Sequence, residues 1–140
     1  MKIFWDTNLF IYLWEQKSFV KELAGLTAFI EDEGHVVATS TLTLGEILVH
    51  PCRSGRPDLV GKYQEAMQRL VLIPFDTQAA VCFAKLRALN PALRPPDGIQ
   101  LACAITNGCD LFLTNDNRLA NVQAASLKIR SLHAWAEEHG

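Results

Sequence analysis

Four short apolar runs, none of them alternating, punctuate a chain whose other stretches repeat apolar residues at helical spacing. The runs are Ile3-Phe4-Trp5, Val36-Val37-Ala38, Val71-Leu72-Ile73 and Leu111-Phe112-Leu113. Each is too short for a helix, and an unbroken apolar run suits a strand buried on both faces. Between them lie helical stretches, at 8–15, 18–33, 41–49, 58–69, 77–89 and 97–107, with a polar helix at 132–138 closing the chain. Phe19, Leu23, Leu26 and Ile30 carry the helical spacing of the second stretch. Lys128-Ile129-Arg130 reads as a fifth, short edge strand. Strands separated by helices imply parallel pairing. The expected fold is therefore α/β, with a central, mostly parallel sheet of four to five strands.

The local signals refine this frame. Ser40 is placed to cap the helix at 41–49, and Pro51 to Pro57 reads as a loop. Ala92 to Pro96 reads as a rigid connection, after which Asp97 opens a helix that Gly108 ends. With 140 residues, 49% hydrophobic and 20% charged, the chain is expected to be one domain, 1–140, with a core that needs no disulfide or structural metal. Cys52, Cys82, Cys103 and Cys109 lack the clustered spacing of a zinc site and read as reduced core residues of a cytoplasmic protein. No run approaches a membrane span. The net charge of −2 argues against a DNA-coating protein but leaves a local nucleic-acid site open.

Two of the apolar runs end in matching polar triplets, Asp6-Thr7-Asn8 and Thr114-Asn115-Asp116. In open α/β sheets, sites form at the carboxyl ends of strands. Glu46 interrupts an apolar helical pattern, and Asp97 stands at a helix start. Each acid has a plain structural role open to it: Asp6 and Asp97 as helix caps, Glu46 as a solvent-facing residue, Asp116 in a turn. Asp110 reads as a strand-entry residue. If Asp6, Glu46, Asp97 and Asp116 converge, the charge must be offset. Two carboxylates about 4 Å apart repel by roughly 4 kcal/mol at an effective dielectric near 20, so such a group takes up protons or a cation. Oxygen ligands suit Mg²⁺ or Mn²⁺. A bound divalent ion activates water and offsets charge on a reacting phosphodiester. No nucleophilic side chain is then needed, and the four histidines all lie outside these motifs.

In order and spacing (40, 51 and 19 residues apart), the four motifs around Asp6, Glu46, Asp97 and Asp116 resemble those of the PIN-domain ribonucleases, in particular the VapC-type toxins of bacterial toxin–antitoxin pairs. The resemblance implies a three-layer α/β/α domain and Mg²⁺- or Mn²⁺-dependent endonucleolytic cleavage of RNA. It implies Asp6, Asp97 and Asp116 as metal ligands, with Glu46 orienting or deprotonating the attacking water. Thr7, Asn8, Thr114 and Asn115 would fix the carboxylates' orientation. The implied partners are RNA, a small cognate antitoxin and a second copy of the chain. Two positions depart from the family: Gly98 stands where alanine is common, and Leu119 where phenylalanine is common. Arg118 matches a basic residue often found near the last motif. Arg94, Arg118 and Lys85 are candidates for phosphate contact. The basic segment Arg53-Ser54-Gly55-Arg56 is either a solvated loop or a guide for RNA. Phe10, Tyr12, Leu13 and Trp14 are either core or an antitoxin-binding surface.

Two other readings compete. One is a phosphatase with Asp6 as nucleophile, although such sites usually carry a second aspartate where this chain has Asn8. The other is a non-catalytic interaction module of the same fold.

Overall fold

A computed structural model describes residues 1–140. Its centre is β1 (Lys2–Trp5), whose Ile3, Phe4 and Trp5 are all buried. On one side β1 pairs with β2 (Val36–Ser40), and β2 with β3 (Val71–Ile73). On the other it pairs with β4 (Leu111–Thr114), and β4 with β5 (Lys128–Ser131). All four pairings are parallel, in the order β3-β2-β1-β4-β5.

Side chains alternate across this sheet with the two-residue period of a strand, and that splits the core in two. Phe4, Ala38 and Phe112 face α5 (Thr77–Leu89) and α6 (Pro95–Thr106). The rings of Phe4 and Phe112 stack there at 5.1 Å. Ile3, Trp5, Leu111 and Leu113 face the opposite layer. That layer holds α1 (Thr7–Ile11), α2 (Val20–Glu33), α3 (Thr41–Arg53), α4 (Pro57–Gln68) and α7 (Leu132–His139). The result is the expected α/β/α sandwich with five parallel strands.

The chain reverses its direction of growth at β1. After β3 it crosses to the far side of β1 to lay down β4. Loops leaving the carboxyl ends of β1 and β4 therefore part in opposite directions, opening a crevice between them. Asp6 follows β1 directly, and its backbone N–H still bonds Leu113 O at 3.0 Å. Ser40, at the end of β2, caps α3 as expected.

Several element boundaries differ from the sequence reading. The first helical stretch is not one helix: α1 passes into a single π-helical turn at Tyr12–Gln16, which ends at Lys17 in the left-handed region (φ 53°). α3 runs through Pro51 to Arg53, so the loop expected from 51 shrinks to 54–56. Pro51 falls in the helix's last turn, where it removes one ladder hydrogen bond, and it is buried. α6 begins at Pro95. Both prolines occupy its first turn, where a missing N–H costs little. Asp97 is consequently inside that turn and caps nothing; the capping position belongs to Arg94.

Asp110 accepts the Lys2 N–H at 2.8 Å and is the strand-entry residue it was expected to be. Gly98 has a local reason: a Cβ there would stand 2.9 Å from the Phe83 ring on α5. Of the cysteines, Cys103 and Cys109 are buried and Cys82 half-buried, but Cys52 is exposed, contrary to the core reading. All four are free thiols. No helix is long and apolar enough to cross a membrane.

Candidate active site

The two polar triplets interlock across the crevice. Asp6 accepts the Thr7 N–H on one carboxylate oxygen and the Thr114 hydroxyl on the other, both at 2.8 Å. Thr114 Oγ1 in turn accepts from Asn8 Nδ2 at 3.2 Å and from the Asp116 N–H at 3.0 Å. Asn8 Oδ1 accepts the Asn115 N–H at 3.2 Å, and Asn115 Nδ2 donates to the Tyr12 hydroxyl at 3.3 Å. Thr7, Asn8, Thr114 and Asn115 thus form one network that ties the end of β1 to the end of β4. Asn8 enters it through both its amide nitrogen and its amide oxygen.

Asp6 does cap α1, but that role does not explain its burial. Only 7% of the residue is exposed. Burial pushes its carboxyl up to about 6, and the nearby charges of Asp97 and Glu46 push the same way, against the two hydrogen bonds. A carboxylate held this far from water beside two others is a group that a cation would relieve.

The remaining acids arrive from three further elements. Glu46, on the outer part of α3, accepts the Thr7 hydroxyl at 2.8 Å. Asp97, in the first turn of α6, benefits from the positive end of that helix and meets Arg94 Nε at 3.4 Å. Asp116 accepts the Arg118 backbone N–H at 3.0 Å, which makes it a turn residue as well. Its carboxylate is clamped by the Arg118 guanidinium, with Nε at 2.8 Å and Nη2 at 2.5 Å, and Arg94 Nη2 lies 3.8 Å away. The Arg118 guanidinium, with help from Arg94, holds the Asp116 carboxyl below the usual carboxylate range.

Asp6, Glu46, Asp97 and Asp116 all line one open pocket of about 440 Å³, and Ile11 and Pro96 are its apolar walls. Arg94 and Arg118 line it too, whereas Lys85 does not. Arg56 is paired with Asp58 and Arg53 ends α3, so the 53–56 segment adds nothing to this pocket. No three acids, histidines or cysteines are gathered tightly enough to ligate one ion unaided. The all-oxygen donor set nonetheless fits a hard cation. Magnesium is held through one or two carboxylates and keeps several waters, and a tight cage is not required.

Sequence reasoning missed the group that supports this arrangement from below. Gln100, one turn after Asp97, is 2% exposed. Its Nε2 donates to Thr43 Oγ1 at 2.7 Å and Thr7 Oγ1 at 3.1 Å, and its Oε1 accepts the Ser40 hydroxyl. Thr7 and Thr43 also bond each other at 3.0 Å. The available signal was one amide inside the apolar run Ile99-Gln100-Leu101-Ala102.

The PIN domain family model matches residues 3–125, which span every element from β1 to the loop before β5. The chain belongs to the PIN domain family. Similar solved chains share its fold at low sequence identity. VapBC2 from Rickettsia felis, bound to a DNA fragment from its promoter, is 16% identical with a TM-score of 0.75, covering 94% of this chain and 98% of that one. VapBC-1 from nontypeable Haemophilus influenzae is 16% identical with a TM-score of 0.72, covering 95% and 99%. FitAcB from Neisseria gonorrhoeae is 17% identical with a TM-score of 0.70, covering 94% and 98%. A comparison with curated proteins finds no match.

Arg118 sets up a competition within this PIN domain's pocket. Its guanidinium occupies the carboxylate that a divalent cation in this pocket would need. The Arg118 side chain is 61% exposed, so solvent screens the pair and it is a weak competitor. Arg118→Ala is expected to tighten Mn²⁺ binding by about two- to fivefold, measured by loss of the free-ion electron paramagnetic resonance signal. Unchanged or weaker binding would show that Asp116 takes no part in holding the ion.

Proposed function

We propose that this chain is a Mg²⁺- or Mn²⁺-dependent endoribonuclease and the toxin of a toxin–antitoxin pair. The observation that carries the reading is the convergence of four acids from four separate elements on one pocket at the sheet's switch point. A bound divalent ion would supply an activated water and offset the charge developing on the phosphodiester.

The chain's own residues divide the remaining work. Asp6 and Asp97 would hold the ion, and Asp116, now paired with Arg118, would complete the site. Glu46 orients or deprotonates the attacking water; the Thr7 hydroxyl, itself held by Gln100, fixes one of its oxygens. Arg94 and Arg118, each more than half exposed, are within reach of a phosphate that approaches the acids. Purified protein is expected to cleave single-stranded RNA with added Mg²⁺ or Mn²⁺ and to stop in excess EDTA. Cleavage that continues in EDTA would overturn the metal-dependent reading.

The partner reading rests on a separate surface. The π turn and the start of α2 line an apolar groove of about 510 Å³ that includes Tyr12, Leu13, Val20 and Leu23. Phe19 is 40% exposed and Val20 64%, and Phe19 is held in the left-handed region at φ 55°. Exposed apolar surface of this kind marks a partner site. Phe10 is core, and Trp14 packs between Phe10 and Tyr63, so only the outer part of the aromatic segment is free for binding. A solved neighbour from Klebsiella pneumoniae is described as a toxin–antitoxin complex, and a small antitoxin is the occupant proposed for this groove. A second copy of the chain is proposed as a further partner.

A further inference from the structure

A second pocket, of about 450 Å³, adjoins the acids and shares Arg94, Asp97 and Arg118 with them. Its character is different. Leu93 and Leu119 are buried beneath it, Val122 is half-buried, and Leu89 is left 63% exposed at its edge. A large aliphatic side chain standing open beside a charged site offers a face for a flat apolar ligand.

The walls of this pocket are pinned. Asn90 Nδ2 donates to Leu86 O at 2.9 Å and to Gln123 O at 3.0 Å, and Asn90 Oδ1 accepts the Gln123 N–H at 3.0 Å. One amide thereby staples the end of α5 to the segment after the 3₁₀ turn at Asn117–Leu119. Arg87 Nε adds a bond to Leu93 O at 3.0 Å. A cleft fixed in this way loses little freedom when a ligand enters. Asn121 is the contrast. It lines the same pocket, is exposed, and its side-chain amide bonds nothing within the protein. It offers a donor and an acceptor side by side, the pattern that reads the edge of a base.

We infer that this pocket takes one unpaired RNA base next to the scissile phosphate, with Leu89 and Val122 against its face and Asn121 on its edge. The inference deepens the ribonuclease reading and rests on it for the position of the phosphate. Single-stranded RNA is recognised through splayed bases packed on side chains or guanidinium planes and bonded at their edges. Arg94 and Arg118 stand between the two pockets. A nucleotide bridging them therefore places its phosphate against guanidinium and its base against the aliphatic wall. The pocket makes this chain base-selective at one position.

The test uses fluorescein-labelled RNA hexanucleotides in which each position carries each of the four bases. Binding to Asp6→Asn, which leaves this pocket intact, is followed by anisotropy with Mn²⁺ present. Cleavage patterns are mapped for the wild type, Asn121→Ala and Leu89→Asp, after thermal melting shows both variants folded. One base at one position is expected to bind about tenfold or more tightly than the others. Adding Asn121→Ala brings the four bases within about twofold. Cleavage with no base preference in either assay, or a preference untouched by both pocket variants, overturns the subsite and leaves the ribonuclease reading standing. Base-selective binding without wild-type cleavage retains the pocket and overturns the ribonuclease reading. Absence of both binding and cleavage overturns the two together.

Discussion

On the ribonuclease reading, Asp6→Asn is expected to gain stability at pH 8 while RNA cleavage falls at least about a hundredfold. The two effects have one cause. Burial raises the Asp6 carboxyl from its usual 3.8 to about 6, a preference for the neutral form worth about 3 kcal/mol. Below pH 3.8 the carboxyl is protonated whether the chain is folded or not, and that preference contributes fully. Between 3.8 and about 6 only the folded chain keeps the proton, so the contribution fades as pH rises. Above 6 it is gone, and the folded protein carries a buried charge. Asparagine resembles the neutral acid at every pH. Its one oxygen can accept the Thr7 N–H or the Thr114 hydroxyl but not both, because an amide nitrogen cannot accept, so one of the two local hydrogen bonds is lost.

The unfolding free energy of Asp6→Asn is therefore expected to lie about 1 kcal/mol below that of wild type at pH 3.5, where only the lost hydrogen bond counts. It rises to about 1–2 kcal/mol above wild type at pH 8. Saturating Mg²⁺ narrows the gap, because a cation stabilises the ionised carboxylate of the wild type alone. Urea unfolding at the two pH values measures it. A variant less stable than wild type at pH 8 would show that Asp6 is a structural cap whose charge the fold needs.

Gln100→Leu is the second large effect, and it runs the other way. The substitution keeps the volume but removes an amide that serves three buried hydroxyls, those of Ser40, Thr7 and Thr43. Each buried polar group left without a partner costs about 1–3 kcal/mol. Thr7 keeps Glu46, and Thr7 and Thr43 keep each other, so the sum is held to about 2–4 kcal/mol. For a chain of this size that lowers Tm by roughly 10 °C. Cleavage also slows in the protein that remains folded, because Thr7 no longer holds Glu46 in a fixed place. A loss below about 0.5 kcal/mol by urea unfolding would mean that the network relaxes around the leucine and carries neither stability nor position.

The parallel sheet was legible because its signal is local. Ile3-Phe4-Trp5 and Leu111-Phe112-Leu113 are continuous apolar runs, and only a strand covered on both faces needs that pattern. The helix edges were less legible. The π turn at Tyr12–Gln16 keeps the same apolar spacing as an ordinary helix, and its stop at Lys17 uses a left-handed residue that is not glycine. Pro51 reads as a break, yet α3 continues past it. Pro95 and Pro96 read as a loop because proline is excluded from helix interiors; the first turn is the exception, and it moves Asp97 inside the helix.

At the site, the sequence indicated which acids belong together but not their counter-charges. Arg118 sits two residues from Asp116 and was legible as a basic residue near the motif and a candidate phosphate contact, but not as the partner of that carboxylate. The approach of Arg94 to Asp116 depends on how α6 lies against the end of β4, which no spacing encodes. Gln100 was invisible for a related reason. A single amide in a helix is ordinary, and its significance appears only when Ser40, Thr7 and Thr43 arrive from three other elements.

Titrating Mn²⁺ into wild type and Asp97→Asn at pH 7.5, with the free ion followed by electron paramagnetic resonance, tests the convergence of these acids most directly. The wild type is expected to bind Mn²⁺ at about millimolar concentration or below, and Asp97→Asn to bind about tenfold or more weakly while melting at a similar temperature. Equal binding by the two proteins, or none by the wild type at millimolar Mn²⁺, would contradict the account.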